Sequence, residues 1–151
     1  MILLIAGRPG NATRELEALI ESTALGNSVR LLGHRSDVAD LLCAADVFVF
    51  PSLFEGFGGA LLEAATLAVP IVASNIPSTR EVLGDTYPLL CAPSAEGLVG
   101  ALTQALSDGD LAARAAAEAA AAASSIKKDN PIELLARHLR TLARSSGAGQ
   151  N

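Results

Sequence analysis

The sequence has no tryptophan, one tyrosine, four phenylalanines and two cysteines in 151 residues. Two cysteines, Cys43 and Cys91, without metal-ligand spacing exclude a disulfide framework and a cysteine-based metal site. Their apolar neighbours read as small buried hydrophobes in a reducing compartment. No apolar run approaches the ~20 residues of a membrane span, and the opening Met1–Ala6 lacks the basic start and the length of a signal peptide. A cytoplasmic location is expected. Positive charge is scarce: residues 1–125 hold 6 basic and 14 acidic groups, a net −8, whereas residues 126–151 hold 5 and 2, a net +3. That balance speaks against non-specific nucleic-acid binding by the body of the chain.

What is abundant is Ala, Leu and Val, within a hydrophobic fraction of 50%, the composition of helices packed on a parallel sheet. Five apolar runs, Ile2–Ala6, Val29–Leu32, Val47–Phe50, Pro70–Ala73 and Pro88–Cys91, are apolar on consecutive positions and predict strands buried on both faces. Helices are predicted between them: Thr13–Leu25, a short one up to Ala44 capped by Ser36 or Asp37, Gly58–Leu67, and one whose start at Ser78-Thr79-Arg80-Glu81 matches a capping box. Further helices are predicted over Ala95–Leu106 and Leu111–Ala123, with a last one over 130–144 opened by Asn130-Pro131, then a frayed tail over 145–151. Strand–helix alternation of this kind predicts an α/β fold, a Rossmann-like three-layer sandwich forming one domain over residues 1–144.

The chemistry concentrates in Ser52-Leu-Phe-Glu-Gly-Phe-Gly-Gly-Ala-Leu-Leu-Glu63. If Val47–Phe50 is a central strand, the segment after it lies at the carboxyl end of the sheet, where ligands bind in open α/β folds. A helix beginning near Gly58 leaves the amides of Phe57, Gly58, Gly59 and Ala60 without intrahelical partners at the positive end of its dipole, which makes a seat for phosphate. Glycines at 56, 58 and 59 let a ligand approach the backbone. The carboxylates of Glu55 and Glu63 suit the vicinal hydroxyls of ribose or hexose. Asp108-Gly109-Asp110 mimics a metal-binding Asp-x-Asp pair but reads as a turn between helices, with Asp110 as the cap. Arg80 lies at the carboxyl edge after the fourth strand. Arg137, Arg140 and Arg144 form a cationic face on the last predicted helix, which allows peripheral contact with a membrane.

Three stretches, Val29–His34, Ala44–Ala64 with its EGFG and LLEA segments, and Val69–Asp85, resemble the donor half of retaining glycosyltransferases of the GT-B fold, in the family called glycosyl transferases group 1. The resemblance covers nearly the whole chain. It implies a catalytic-site role for Glu55 against the donor sugar, Glu63 against the ribose, and the amides of Gly56, Phe57, Gly58 and Gly59 against sugar and diphosphate. It places the base against Gly33, His34 and Arg35. It also implies that no metal ion or other cofactor takes part, and that a separate N-terminal domain carries the acceptor.

The departures from the family pattern carry expectations of their own. The acceptor domain and the first donor-domain strand and helix have no counterpart here, nor do the Arg and Lys that grip the diphosphate. Losing two charge-assisted contacts weakens donor binding by about 10² to 10⁴-fold. Closing the gap left by the absent strand would give a single five-stranded sheet of order 2-1-3-4-5. The chain then reads as an inactive half awaiting its acceptor domain or a complementing subunit, as a non-catalytic nucleotide-sugar-binding module, or as an interaction module that kept the fold alone.

Overall fold

The computed structural model describes residues 1–128 apart from Phe57, so the predicted helix over 130–144 and the tail over 145–151 lie outside the described residues. Among the described residues there are five parallel strands and six α-helices, and the chain divides into two compact units, Met1–Leu41 and the part from Leu42 onward.

In the first unit, β1 (Leu3–Ala6) pairs with β2 (Val29–Gly33), Leu3 opposite Val29 and Ala6 opposite Gly33, with a register shift after Ile5. Between them run α1 (Thr13–Ser22) and one turn of 3-10 helix at Leu25–Asn27. Asn11 does not cap α1: the preceding residue, Ala12, has no side chain to offer, and the Thr13 hydroxyl accepts the Gly10 amide at 2.8 Å instead. No residue between Met1 and Leu41 is buried. Leu3 and Leu4 of β1 remain 45% and 47% exposed, so the expectation of strands covered on both faces fails here.

The second unit holds the core. After α2 (Val38–Cys43), which straddles the boundary, come β3 (Phe48–Phe50), α3 (Gly59–Thr66), β4 (Ile71–Ser74), α4 (Pro77–Leu83), β5 (Leu90–Cys91), α5 (Ala95–Ser107) and α6 (Gly109–Lys128). Its sheet has the order β3-β4-β5. Every residue of β4 is buried, because this middle strand has neighbours on both edges and helices packed against it. Three alanines of α6 at helical spacing, Ala115, Ala119 and Ala123, are fully covered. Their small side chains allow the close approach of α6 to α3, α4 and α5. α3 ends in a Schellman-type turn, with Ala68 at φ 55° and amides of Ala68 and Val69 donating to Ala65 and Ala64.

The five strands therefore form two sheets, one of two and one of three strands, and the expected single sheet of order 2-1-3-4-5 is not formed. Closure would require β1 to donate and accept along β3, but each keeps the one neighbour its own βαβ unit supplies. A parallel ladder needs the two edges within about 4.8 Å, and no pairing joins β1 to β3.

Two local expectations also change. α4 starts at Pro77 rather than Ser78, and the hydroxyl of Thr79 takes the Ile76 amide at 3.1 Å, so Ser78 and Glu81 do not form the capping box. Asp108, not Asp110, caps α6, accepting the Leu111 amide at 2.9 Å.

Candidate functional site

The loop after β3 leaves the sheet at its carboxyl end through Pro51 and reaches α3 at Gly59. Gly58 turns the chain with φ 66° and ψ 46°, a left-handed conformation that a side-chain-bearing residue adopts only with strain. This turn sets the first residues of α3, and the first helical bond runs from the Leu62 amide to the Gly58 carbonyl at 3.0 Å. The amides of Gly59 and Ala60 have no acceptor among the described residues and sit in the first turn, where the helix dipole is positive. Ideal Cβ atoms at Gly56 and Gly59 would meet nothing within 4 Å, so the backbone is open to close approach from outside.

Glu55 is half-buried, and its Oε1 accepts the Gly56 amide at 3.0 Å. That bond holds the carboxylate against the glycine segment while leaving its other oxygen free to accept hydroxyls. Glu63 is the fifth residue of α3. It is exposed, although Leu61, Ala64 and Ala65 around it are buried. Phe57 lies outside the described residues. A small cavity of about 90 Å³ joins Gly56 to Leu62, Glu81, Val82 and Ile126. Glu81 and Ile126 were not foreseen near the glycine segment. A sequence signal for Glu81 was present only as its place at the carboxyl edge; Ile126 had none.

Arg80 is held by two partners, its Nη1 donating to Asn75 at 2.7 Å and its Nε lying 3.3 Å from Asp85. The first unit carries the remaining predicted residues. Gly33 closes β2 at φ 65°, His34 and Arg35 are exposed, and the Arg35 guanidinium donates to Asp37, with Nε at 2.7 Å from Oδ1. That hydrogen bond holds the Asp37 carboxyl below its ordinary range and raises Arg35 further. Gly33 also lines an open cleft of about 480 Å³ between β1, β2 and the start of α1, with Gly7, Arg8, Gly10 and Asn11 at its rim. Among the described residues no three of His, Cys, Asp and Glu gather as a metal-ligand set. No described helix is long and apolar enough to cross a membrane.

A parallel α/β fold with a glycine turn and an acid at the carboxyl end is shared by many proteins. The deciding observation is that residues 1–122 match the family described as glycosyl transferases group 1. The chain belongs to that family. It is 34% identical over 108 residues to O-antigen chain mannosyltransferase B of Escherichia coli, covering 70% of this chain and 28% of that protein. The crystal structure of WaaG, a glycosyltransferase involved in lipopolysaccharide biosynthesis, superposes with a TM-score of 0.71 at 28% identity, over 82% of this chain and 34% of WaaG. Anabaena HepE, solved in complex with UDP and glucose, matches at 0.79 over 95% of this chain and 40% of its own, at 23% identity, which supports the fold alone. The fold is that of the C-terminal part of a GT-B glycosyltransferase. The chain spans between about a quarter and two-fifths of the length of these proteins.

Proposed function

We propose that this chain is the donor-binding half of a retaining glycosyltransferase and takes a sugar carried on a nucleoside diphosphate. The observation that carries the reading is the loop from Glu55 to Ala60: a carboxylate tied to the Gly56 amide, a left-handed Gly58, and amides at Gly59 and Ala60 that have no acceptor among the described residues. Those amides suit the charge that grows on the diphosphate as its bond to the sugar breaks, and they do so without reorganising. Glu55 orients the sugar through its hydroxyls, Glu63 accepts from the ribose, and main-chain groups at Gly33, His34 and Arg35 take the base. Phe57 adds its amide to that set, and Gly56 serves through the bond by which its amide holds the Glu55 carboxylate. The sugar then passes to an acceptor hydroxyl with its anomeric configuration kept, with no metal ion or cofactor in the step and in the cytoplasm.

The acceptor and the cations that balance the diphosphate come from an N-terminal domain or a complementing subunit, and the chain by itself is inactive. The uncovered first unit supports that reading, since Ile2, Leu3 and Leu4 expose apolar surface that a further strand and helix would bury. Calorimetry with UDP, GDP and ADP sugars tests it: heat saturating in the millimolar range or below is expected for one base. No heat from folded protein rejects the reading. Glu63→Ala is expected to weaken affinity for that nucleotide sugar about tenfold, the loss of a hydrogen bond to a charged group; unchanged affinity removes its role.

A further inference from the structure

Of the four phenylalanines in the chain, the three described ones are used in opposite ways. Phe48 and Phe50 lie on β3 with ring centroids 6.2 Å apart, and Phe50 is only 8% exposed. Phe54, four residues on, is 92% exposed, and Leu53 beside it is 76% exposed. The ring therefore contributes nothing to the core, although it stands on the loop that ends in Glu55 and Gly56.

We propose that Phe54, flanked by Leu53, is a stacking platform for a pyranose ring. The proposal deepens the nucleotide-sugar reading above and rests on it for the donor arm only. A pyranose has two kinds of surface: a face of C–H groups that pairs with an aromatic plane, and a rim of hydroxyls that pairs with carboxylates and amides. Consecutive residues here offer both. Phe54 provides the plane, and Glu55 provides a carboxylate already steadied by the Gly56 amide with acceptor capacity to spare. A buried partner of purely apolar chemistry would not account for the acid next to the ring. The net −8 of residues 1–125 disfavours an anionic membrane as the occupant.

The absence of tryptophan makes Phe54→Trp a unique fluorescent reporter, and the exposure of the site means that neither this variant nor Phe54→Ala disturbs folding. Four ligands are titrated against the reporter: a nucleoside diphosphate hexose, the nucleoside diphosphate alone, methyl hexopyranosides with short oligosaccharides, and vesicles of phosphatidylglycerol with phosphatidylcholine. A saturable emission change with the nucleotide hexose but not the bare diphosphate places the donor sugar on the ring. A change with the nucleotide-free glycosides places an acceptor sugar there. In either case Phe54→Ala should weaken that ligand about threefold to tenfold, the range of an aromatic contact, and leave diphosphate affinity unchanged. Emission that responds to neither sugar ligand, or only to vesicles, overturns the proposal. If calorimetry on the unmodified chain detects neither nucleotide ligand, the donor-half reading fails separately, and the glycoside titration alone decides the platform.

Discussion

Gly58→Ala is the sharpest single test of how the glycine turn builds the site. An ideal Cβ at Gly58 lies 3.5 Å from Leu61 Cβ, 3.7 Å from its Cδ2 and 3.8 Å from Glu55 Cγ, all ordinary contact distances, so the substitution fits sterically. Its cost comes from the backbone: at φ 66° an alanine loses about 1 to 2 kcal/mol. Gly59→Ala, one residue on, is the matched control. Gly59 opens α3 without a positive φ and with nothing near its Cβ, so alanine there is neutral or stabilises by up to about 1 kcal/mol. Urea denaturation followed by circular dichroism should separate the two variants by roughly 1 to 3 kcal/mol at unchanged slope. If Gly58→Ala instead relaxes its strain by moving the turn, stability recovers but the first amides of α3 shift, and affinity for a nucleoside diphosphate falls. Equal midpoints together with equal affinity would refute the claim that a left-handed glycine sets the helix start.

Two further outcomes follow from packing elsewhere in the second unit. A Cβ at Gly97 would collide with the Ala92 carbonyl oxygen, whereas one at Gly100 in the same helix meets nothing within 4 Å; Gly97→Ala should cost more than about 2 kcal/mol in a denaturant melt and Gly100→Ala nothing. Tyr87 is 4% exposed and its hydroxyl accepts the Ile71 amide at 3.1 Å, and burial pushes its ionisation up to about 12. A pKa raised in the folded state means stability that is complete below about pH 10 and lost as pH rises from 10 to 12, by up to roughly 2 to 3 kcal/mol. Thermal melts across that window should show the fall, and Tyr87→Phe should abolish the Tyr87 share of it while costing about 1 to 3 kcal/mol at neutral pH, because the Ile71 amide loses its acceptor.

Strand order within each βαβ step was legible from the sequence because consecutive apolar residues bounded by turn signals leave few alternatives. Ile71–Ser74 and Phe48–Phe50 fall within one residue of their predicted positions. The glycine turn was legible for a similar reason: Gly56, Gly58 and Gly59 ahead of an apolar helix have a narrow structural meaning, and only Gly58 turned out to need its positive φ. Caps were less legible. Thr79 and Asp108 do the work assigned to Ser78 and Asp110, because a shift of one or two residues in a helix start changes which hydroxyl or carboxylate reaches the free amide, and composition is blind to it. Glu81 and Ile126 beside Gly56 depend on how α4 and α6 pack against α3, a tertiary fact with no local pattern.

The split into two sheets was the least legible feature, and it bears on how the chain would work. Apolar runs report that a strand wants burial, not whether anything arrives to bury it. β1 is as apolar as β4, yet β4 is wholly buried and no residue up to Leu41 is. A region without a buried residue opens at little free-energy cost, so on the proposed reading a ligand at Gly33, His34 and Arg35 would spend part of its interaction energy on holding that region closed. A segment that covers Ile2, Leu3 and Leu4 would supply that order in advance. Cover and donor would then bind with positive cooperativity, each favouring the state the other needs. A segment that covers Ile2, Leu3 and Leu4 should therefore raise nucleotide affinity even when it touches no part of the ligand.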